Sequence, residues 1–265
     1  MDLNFIAKKT PAKVNLFLRV VGKRADGYHE IFSLVDKISL YDIISVEESS
    51  EDLVIIPAVY GEDNTVTRAL RTFKKKTGIK KNFCVTVSKK IPISAGLGGG
   101  SSDAACILKI LNSMSEKKLN DKELMDLSAE IGSDVPLFIV EGPCIISGRG
   151  ERVFPVKMEF KRWYIILKPP FGLSSKDVYE EFDRSPETGY LNDLEKPAMK
   201  LRPELENLKK ILYQEGNPII CSVSGSGSCI FSMFLDRDKA VSSVEALRKN
   251  RELKGCEIYL VEGIG

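Results

Sequence analysis

The chain holds one histidine and one tryptophan in 265 residues, and its six cysteines (Cys84, Cys106, Cys144, Cys221, Cys229 and Cys256) never pair as C-x-x-C. A zinc site or a histidine-dependent nucleophilic triad would therefore rest on His29 alone. The cysteines lie mostly among apolar neighbours, which predicts reduced core thiols in a cytoplasmic protein. No apolar run approaches a membrane span, and the opening Met1-Asp2-Leu3-Asn4-Phe5-Ile6-Ala7-Lys8-Lys9 lacks a signal-peptide apolar region. Neither sign of charge dominates. The 39 Lys and Arg against 37 Asp and Glu leave a formal +2, which argues against a nucleic-acid or membrane-surface partner. With 43% apolar and 29% charged residues, the expectation is a soluble globular chain of one large or two ordinary domains.

Glycine is abundant in one place. Ile91-Pro92-Ile93-Ser94-Ala95-Gly96-Leu97-Gly98-Gly99-Gly100-Ser101-Ser102-Asp103-Ala104-Ala105 puts four glycines within five residues ahead of a helical pattern reaching Met114. The free N–H groups and positive dipole end of a helix N-terminus attract anions, and glycines let successive amides converge on a phosphate. Ser101 and Ser102 add hydroxyls for phosphate oxygens or a metal ion. A tight strand-to-helix turn capped by serine would use some of the same residues, but does not need four glycines. No Lys follows as G-K-[ST] requires, and Gly96-Leu97-Gly98 continues to Ser101 instead of Gly, so neither the P-loop nor the dinucleotide fingerprint fits. His29 is followed by Glu30, which removes the protein-kinase His-Arg-Asp.

Elsewhere, Ala12–Val21 alternates as a half-buried strand with Lys13 and Asn15 on the same, non-core side. Arg24-Ala25-Asp26-Gly27-Tyr28-His29-Glu30 reads as a turn. Strands are expected at 31–40, 43–47 and 53–56, a helix at 64–77 stopped by Gly78, and a strand through Phe83, Val85 and Val87. Asn120 with Glu123 resembles a capping box for a helix that stops at Gly132. In Gly132-Ser133-Asp134-Val135-Pro136-Leu137-Phe138, position alone gives Asp134 a helix-capping role. The Gly148-Arg149-Gly150-Glu151 turn closes the first half. The second half reads strand 163–168, helices 175–182 and 204–214, strands 219–222 and 229–235, helix 239–250 and strand 256–261, which is the order of a ferredoxin-like split βαβ domain. Ser224-Gly225-Ser226-Gly227-Ser228, between its middle strands, fits either close approach to a ligand or a flexible hairpin.

Taken in order, Pro11-Ala12-Lys13-Val14-Asn15-Leu16, the loop from Pro92 to Ala105, and Ser224-Gly225-Ser226-Gly227 resemble the three motifs of the GHMP kinase superfamily of small-molecule kinases. Arg24 to His29 and Gly132 to Phe138 narrow the resemblance to the branch that phosphorylates a cytidine-diphosphate sugar alcohol. The resemblance implies an α+β, two-domain fold. Residues 1–156 would form a ribosomal-protein-like α/β domain with the phosphate loop, 157–265 a ferredoxin-like domain, and the active site would lie between them. It further implies that Lys13 and Asp134 are the catalytic pair, and that ATP lies on Pro92, Gly96, Leu97, Gly98, Gly99, Gly100, Ser101 and Ser102. Asn15, Tyr28, His29, Ser175, Tyr179, Gly225, Ser226 and Gly227 would bind the acceptor, with Tyr179 stacked on cytosine. Pro170-Phe171-Gly172 replaces the usual Pro-Gly, which loosens the register to Tyr179.

The chemistry expected is transfer of the γ-phosphoryl of ATP, with Mg²⁺ bridging the phosphates and no obligate protein partner. Asp134 would take the acceptor's hydroxyl proton. Lys13 would form an ion pair with it at about 4 Å, holding it ionised and offsetting phosphate charge. A homoserine or mevalonate kinase would share the loops without needing base-stacking rings. A silent nucleotide sensor would need the loop but not Lys13 with Asp134.

Overall fold

A computed structural model describes residues 5–57 and 64–265. In chain order the first half holds β1 (Ile6–Lys23), β2 (His29–Ser49), β3 (Leu53–Ile55), α1 (Thr65–Thr77), β4 (Asn82–Ser88), α2 (Gly99–Met114), α3 (Asp121–Ile131), α4 (Val135–Ile139), β5 (Cys144–Gly148) and β6 (Arg152–Pro155). The second holds β7 (Trp163–Lys168), α5 (Ser175–Arg184), α6 (Glu195–Leu201), α7 (Glu204–Gln214), β8 (Ile220–Val223), β9 (Ile230–Phe234), α8 (Arg237–Lys249) and β10 (Glu257–Glu262).

The expected strands 31–40 and 43–47 are one strand. β2 pairs antiparallel with β1 along its length, with β5 through Ile31–Val35 and with β4 through Ile43–Ser49, while β3 joins β4 in parallel. The interruption the sequence suggests at Tyr41-Asp42 is bridged because the Asp42 carboxylate accepts from the Lys90 and Ile91 backbone amides and from Lys89, so it can be buried within the sheet. The second sheet runs β10-β7-β9-β8, all antiparallel, the order of the split βαβ arrangement. α6 is absent from the sequence expectations, and it contains Pro197. The proline lies in the first turn, where a missing N–H costs nothing.

Three cores hold the molecule. One packs α1–α4 on the first sheet around Phe73, Phe83 and Ile107, and another packs α5–α8 on the second around Leu167, Ile230 and Leu247. The third lies between the sheets, with Val14, Leu16 and Ile38 against Tyr164, Ile166 and Phe231. β9 is thus buried on both faces, which explains its continuous apolar run. The reading of β1 is corrected on its opposite face, where Gly98 lies against Lys13 and Gly225 against Lys13 and Asn15. Lys13 and Asn15 do share a face, but both are buried, at 5% and 2% exposure, instead of lying off the core. Across the junction, Arg162 grips Asp36 bidentately at 2.5 and 2.8 Å, and Tyr164 donates to the same carboxylate at 2.6 Å.

Candidate active site

A cleft of about 1060 Å³ opens between the two sheets' attached loops, and its walls come from both halves of the chain. One wall is the glycine loop. Gly98 adopts φ +71° at the N-cap of α2, so Gly99 and Gly100 already belong to the helix's first turn. Each glycine is pressed against protein. A Cβ on Gly96 would lie 2.0 Å from the Ser224 carbonyl oxygen, and one on Gly98 would lie 2.9 Å from the Phe138 ring and 3.1 Å from Lys13 Cγ. The absence of side chains therefore serves packing as well as approach to a ligand.

Ser101 faces the cleft, whereas Ser102 does not: it is fully buried, its hydroxyl donating to the Pro11 carbonyl at 2.6 Å. The expectation that both serines contact phosphate is corrected. Neighbouring helical residues point about 100° apart, so only one can face the ligand. Behind the loop, Lys89 bridges Asp42 and Asp103 at 2.5 and 2.8 Å. Burial pushes the Asp103 carboxyl up, and its Oδ1 has no hydrogen-bond partner.

The small-residue segment between β8 and β9 is a buried buttress, not a flexible hairpin. Ser224 Oγ donates to the Gly96 carbonyl at 3.0 Å and the Cys229 amide to the Ala95 carbonyl at 3.1 Å, so the glycine loop is clamped from behind. Gly225 and Ser226 reach the cleft, and Ser226 Oγ lies 2.8 Å from Ser175 Oγ. Gly227 does not reach it. Its α-carbon faces Val223 and Leu173, which corrects its assignment to the acceptor pocket.

Lys13 and Asp134 both line the cleft. The expected direct ion pair is absent. Lys13 Nζ instead donates to Asn15 Oδ1 at 2.5 Å, and Asn15 Nδ2 donates to Ser33 at 2.8 Å. Burial lowers the Lys13 pKa, and the Asp134 charge pulls it partly back. An ammonium with three donors and one protein acceptor, held out of water, has a strong demand for anionic oxygens. Asp134 stands at the N-cap of α4 but makes no capping bond, so the capping role is not the one it plays. Its carboxylate is left to face the cleft.

The opposite wall is aromatic. His29 stacks on Tyr179 with centroids 4.6 Å apart and planes at 20°. Burial, with the Asp134 charge second, raises the Tyr179 pKa. Tyr28 is half-exposed and carries the Arg149 guanidinium 4.9 Å from its ring centroid. Lys23, Lys89, Arg149 and Asp183 also line the cleft and were not picked out from sequence. Arg149 alone had a signal, since it lies in a Gly-Arg-Gly turn beside a charged residue.

Among the described residues no helix is long and apolar enough to cross a membrane, and no cluster of His, Cys, Asp and Glu could by itself hold a metal ion. Residues 64–142 match the family described as GHMP kinases N terminal domain, and 178–252 match GHMP kinases C terminal. A 4-diphosphocytidyl-2-C-methyl-D-erythritol kinase of Protochlamydia amoebophila (strain UWE25) is 40% identical over 239 residues, covering 84% of this chain and 82% of that one. One from Clostridium botulinum (strain Alaska E43 / Type E3) is 35% identical over 268 residues, covering 91% and 95%. A crystal structure of 4-(cytidine 5'-diphospho)-2C-methyl-D-erythritol kinase superposes with a TM-score of 0.81 at 30% identity, covering 98% of this chain and 100% of that one. With motifs, sheet order and full-length similarity in agreement, the chain belongs to the GHMP kinases, in the family of the 4-diphosphocytidyl-2-C-methyl-D-erythritol kinases.

Proposed function

We propose that this small-molecule kinase transfers the γ-phosphoryl group of ATP to a hydroxyl of 4-diphosphocytidyl-2-C-methyl-D-erythritol, in the non-mevalonate route to isoprenoid precursors. The observation that carries the reading is a convergence: a glycine-lined helix N-terminus, an undersolvated ammonium, an unpartnered carboxylate and stacked rings around one cleft. A homoserine or mevalonate acceptor would leave the aromatic wall without an occupant.

In this reading the amides of Gly96 to Ser101 cradle the nucleotide phosphates at the positive end of α2. Asp134 accepts the proton of the attacking hydroxyl. Lys13, oriented by Asn15, offsets charge on the transferred group. No Lys13–Asp134 salt bridge is needed, because phosphoryl transfer has a loose transition state in which positioning and charge neutralisation carry most of the rate. Mg²⁺ would accompany the nucleotide. The cleft offers hard oxygen donors in the Ser101 hydroxyl and the Asp134 carboxylate, suited to an ion held mostly by phosphates and water, and that ion would neutralise phosphate charge. The reading includes residues 1–156 as the nucleotide-binding domain and 157–265 as its partner domain, supported by the change of sheet between β6 and β7. It also includes no obligate protein partner, and a cytoplasmic location, with which six free cysteines are in keeping.

The test is ADP release by purified protein with Mg-ATP, offered the cytidine-diphosphate acceptor, homoserine or mevalonate in turn. Release on the cytidine acceptor alone is expected. Equal or greater release on either of the others would overturn the reading.

A further inference from the structure

His29 is the only imidazole in the chain, and one helix holds it on three sides. From α5, Tyr179 covers its face, Phe182 meets it edge-on at 6.4 Å and 87°, and Asp183 Oδ1 lies 2.7 Å from Nε2. Tyr179 and Asp183 are four apart, one turn of the same helical face. The other oxygen, Asp183 Oδ2, accepts from Lys23 Nζ at 2.5 Å, and Lys23 is the strand partner of His29 in the β1–β2 register. Asp183 thus bridges the open end of the first sheet from the second half of the chain, with both carboxylate oxygens occupied.

The chemistry of this contact is one-sided. The hydrogen bonds from Lys23 and His29 lower the Asp183 pKa, and an ionised carboxylate only accepts. Nε2 must therefore be the donor, and in the neutral ring Nδ1 is then the lone-pair nitrogen. The choice matters for reading a pyrimidine. Cytosine carries an exocyclic amine, a donor, where uracil carries a carbonyl, an acceptor. A bare Nδ1 accepts from the amine and repels the carbonyl. The opposite tautomer would invert that preference.

We propose that Asp183 is the positioning residue for base recognition: by accepting the Nε2–H of His29 it fixes the imidazole tautomer whose Nδ1 selects a cytosine over a uracil in the acceptor. The proposal rests on the cytidine reading above. It adds to that reading the residue, outside the Tyr28-His29 motif, that gives the histidine its selectivity.

Two measurements on the intact protein test it. Long-range ¹H–¹⁵N spectra, recorded above the imidazole titration, report the tautomer directly, and with a single histidine there is one spin system to assign. Wild type should show Nε2 protonated. Asp183→Asn, whose amide can present either its oxygen or its NH₂, should show a mixture of both tautomers. Steady-state kinetics with the cytidine-diphosphate acceptor and its uridine counterpart give the second readout. The cytidine-to-uridine ratio of kcat/KM should fall about fivefold to tenfold in Asp183→Asn, the scale of one hydrogen bond. Lys23→Met separates tautomer control from simple tethering, since it cuts the other arm of the bridge and leaves Oδ1 on His29. It should keep both the tautomer and the ratio. The inference is overturned if Asp183→Asn keeps the wild-type tautomer and ratio, or if Lys23→Met lowers the ratio as much. Wild type that fails to prefer the cytidine acceptor at all would overturn the cytidine reading itself, whatever the tautomer shows.

Discussion

The two walls of the cleft are built on opposite principles. The nucleotide wall is backbone clamped by backbone and core: Gly96 lies under Ser224, Gly98 lies against Phe138 and Lys13, and Ser102 is anchored on Pro11. The acceptor wall is a set of side chains at the mouth, with Tyr28 at 51% exposure and His29, Lys23 and Asp183 tied only to one another and to α5. A wall made by packing cannot change shape without disturbing the fold. A wall whose outer groups, Tyr28, Lys23 and Asp183, are exposed or part-exposed can be altered at those positions one group at a time. Phosphate binding is thus linked to stability, and acceptor choice is comparatively free of it.

The largest expected effect sits where the walls meet. Asp134→Asn keeps the size of the side chain but removes the proton acceptor, so kcat should fall about 10²- to 10⁴-fold with both KM values near those of wild type. Steady-state kinetics checks this. A mutant with near-normal turnover would leave Asp134 without a chemical role.

Gly98→Val tests the coupling of phosphate wall and fold. At φ +71° a valine costs about 1–2 kcal/mol for the left-handed backbone, and its Cβ would meet the Phe138 ring at 2.9 Å. Overpacking adds about 1–3 kcal/mol. Calorimetric ATP binding should be lost together with a drop in urea midpoint. Lost binding at unchanged stability would mean that the glycine serves the ligand alone and that the two walls do not differ in this way.

How much of this could be read from the chain divides along the same line. The second half was legible because β7 to β10 are short apolar runs in a strand-helix-strand-strand-helix-strand sequence, which the split βαβ order matches. The site motifs were legible because glycine clusters and an ionisable residue in each motif have few other uses. What was not legible depends on the third dimension. Alternation in β1 implied that Lys13 and Asn15 were off the core, since nothing local says that the glycine loop and the β8–β9 loop cover that face. The pairing of Lys13 with Asn15 in place of Asp134, and the turning of Ser102 away from Ser101, are matters of side-chain direction that residue order does not carry. Asp183 looks like any acidic residue at a helix end until Lys23 and His29 are brought to it.

On the acceptor wall, Tyr179→Ala should act on one substrate only. The ring backs His29, on which it stacks, and an aromatic platform for a base is worth about 1–3 kcal/mol, so the acceptor KM should rise roughly fivefold to 150-fold with ATP KM unmoved. A parallel rise in ATP KM would show that the ring, packed against the cores of both halves, supports the cleft as a whole.

The smallest effect falls on Arg149, and it asks whether the acceptor wall is as separable as its exposure suggests. The guanidinium covers the Tyr28 ring at 4.9 Å, a contact worth about 0.5–1 kcal/mol at an exposed site, so Arg149→Gln should raise the acceptor KM only about twofold to fivefold. Arg149 also sits in the Gly148–Glu151 turn, which presses on the catalytic side: a Cβ on Gly150 would lie 3.1 Å from the Ser133 carbonyl oxygen and 3.3 Å from Asp134 Oδ1. The turn is held partly by Arg149 itself, whose amide donates to Glu151 and whose guanidinium reaches the Ala129 carbonyl. If stacking is its whole contribution, Arg149→Gln changes the acceptor KM and spares kcat, and Arg149→Lys, which keeps a cation but not the planar face, falls between the two. A fall in kcat instead would mean that the turn positions Asp134 through Arg149, making the exposed wall part of the catalytic frame at this one point.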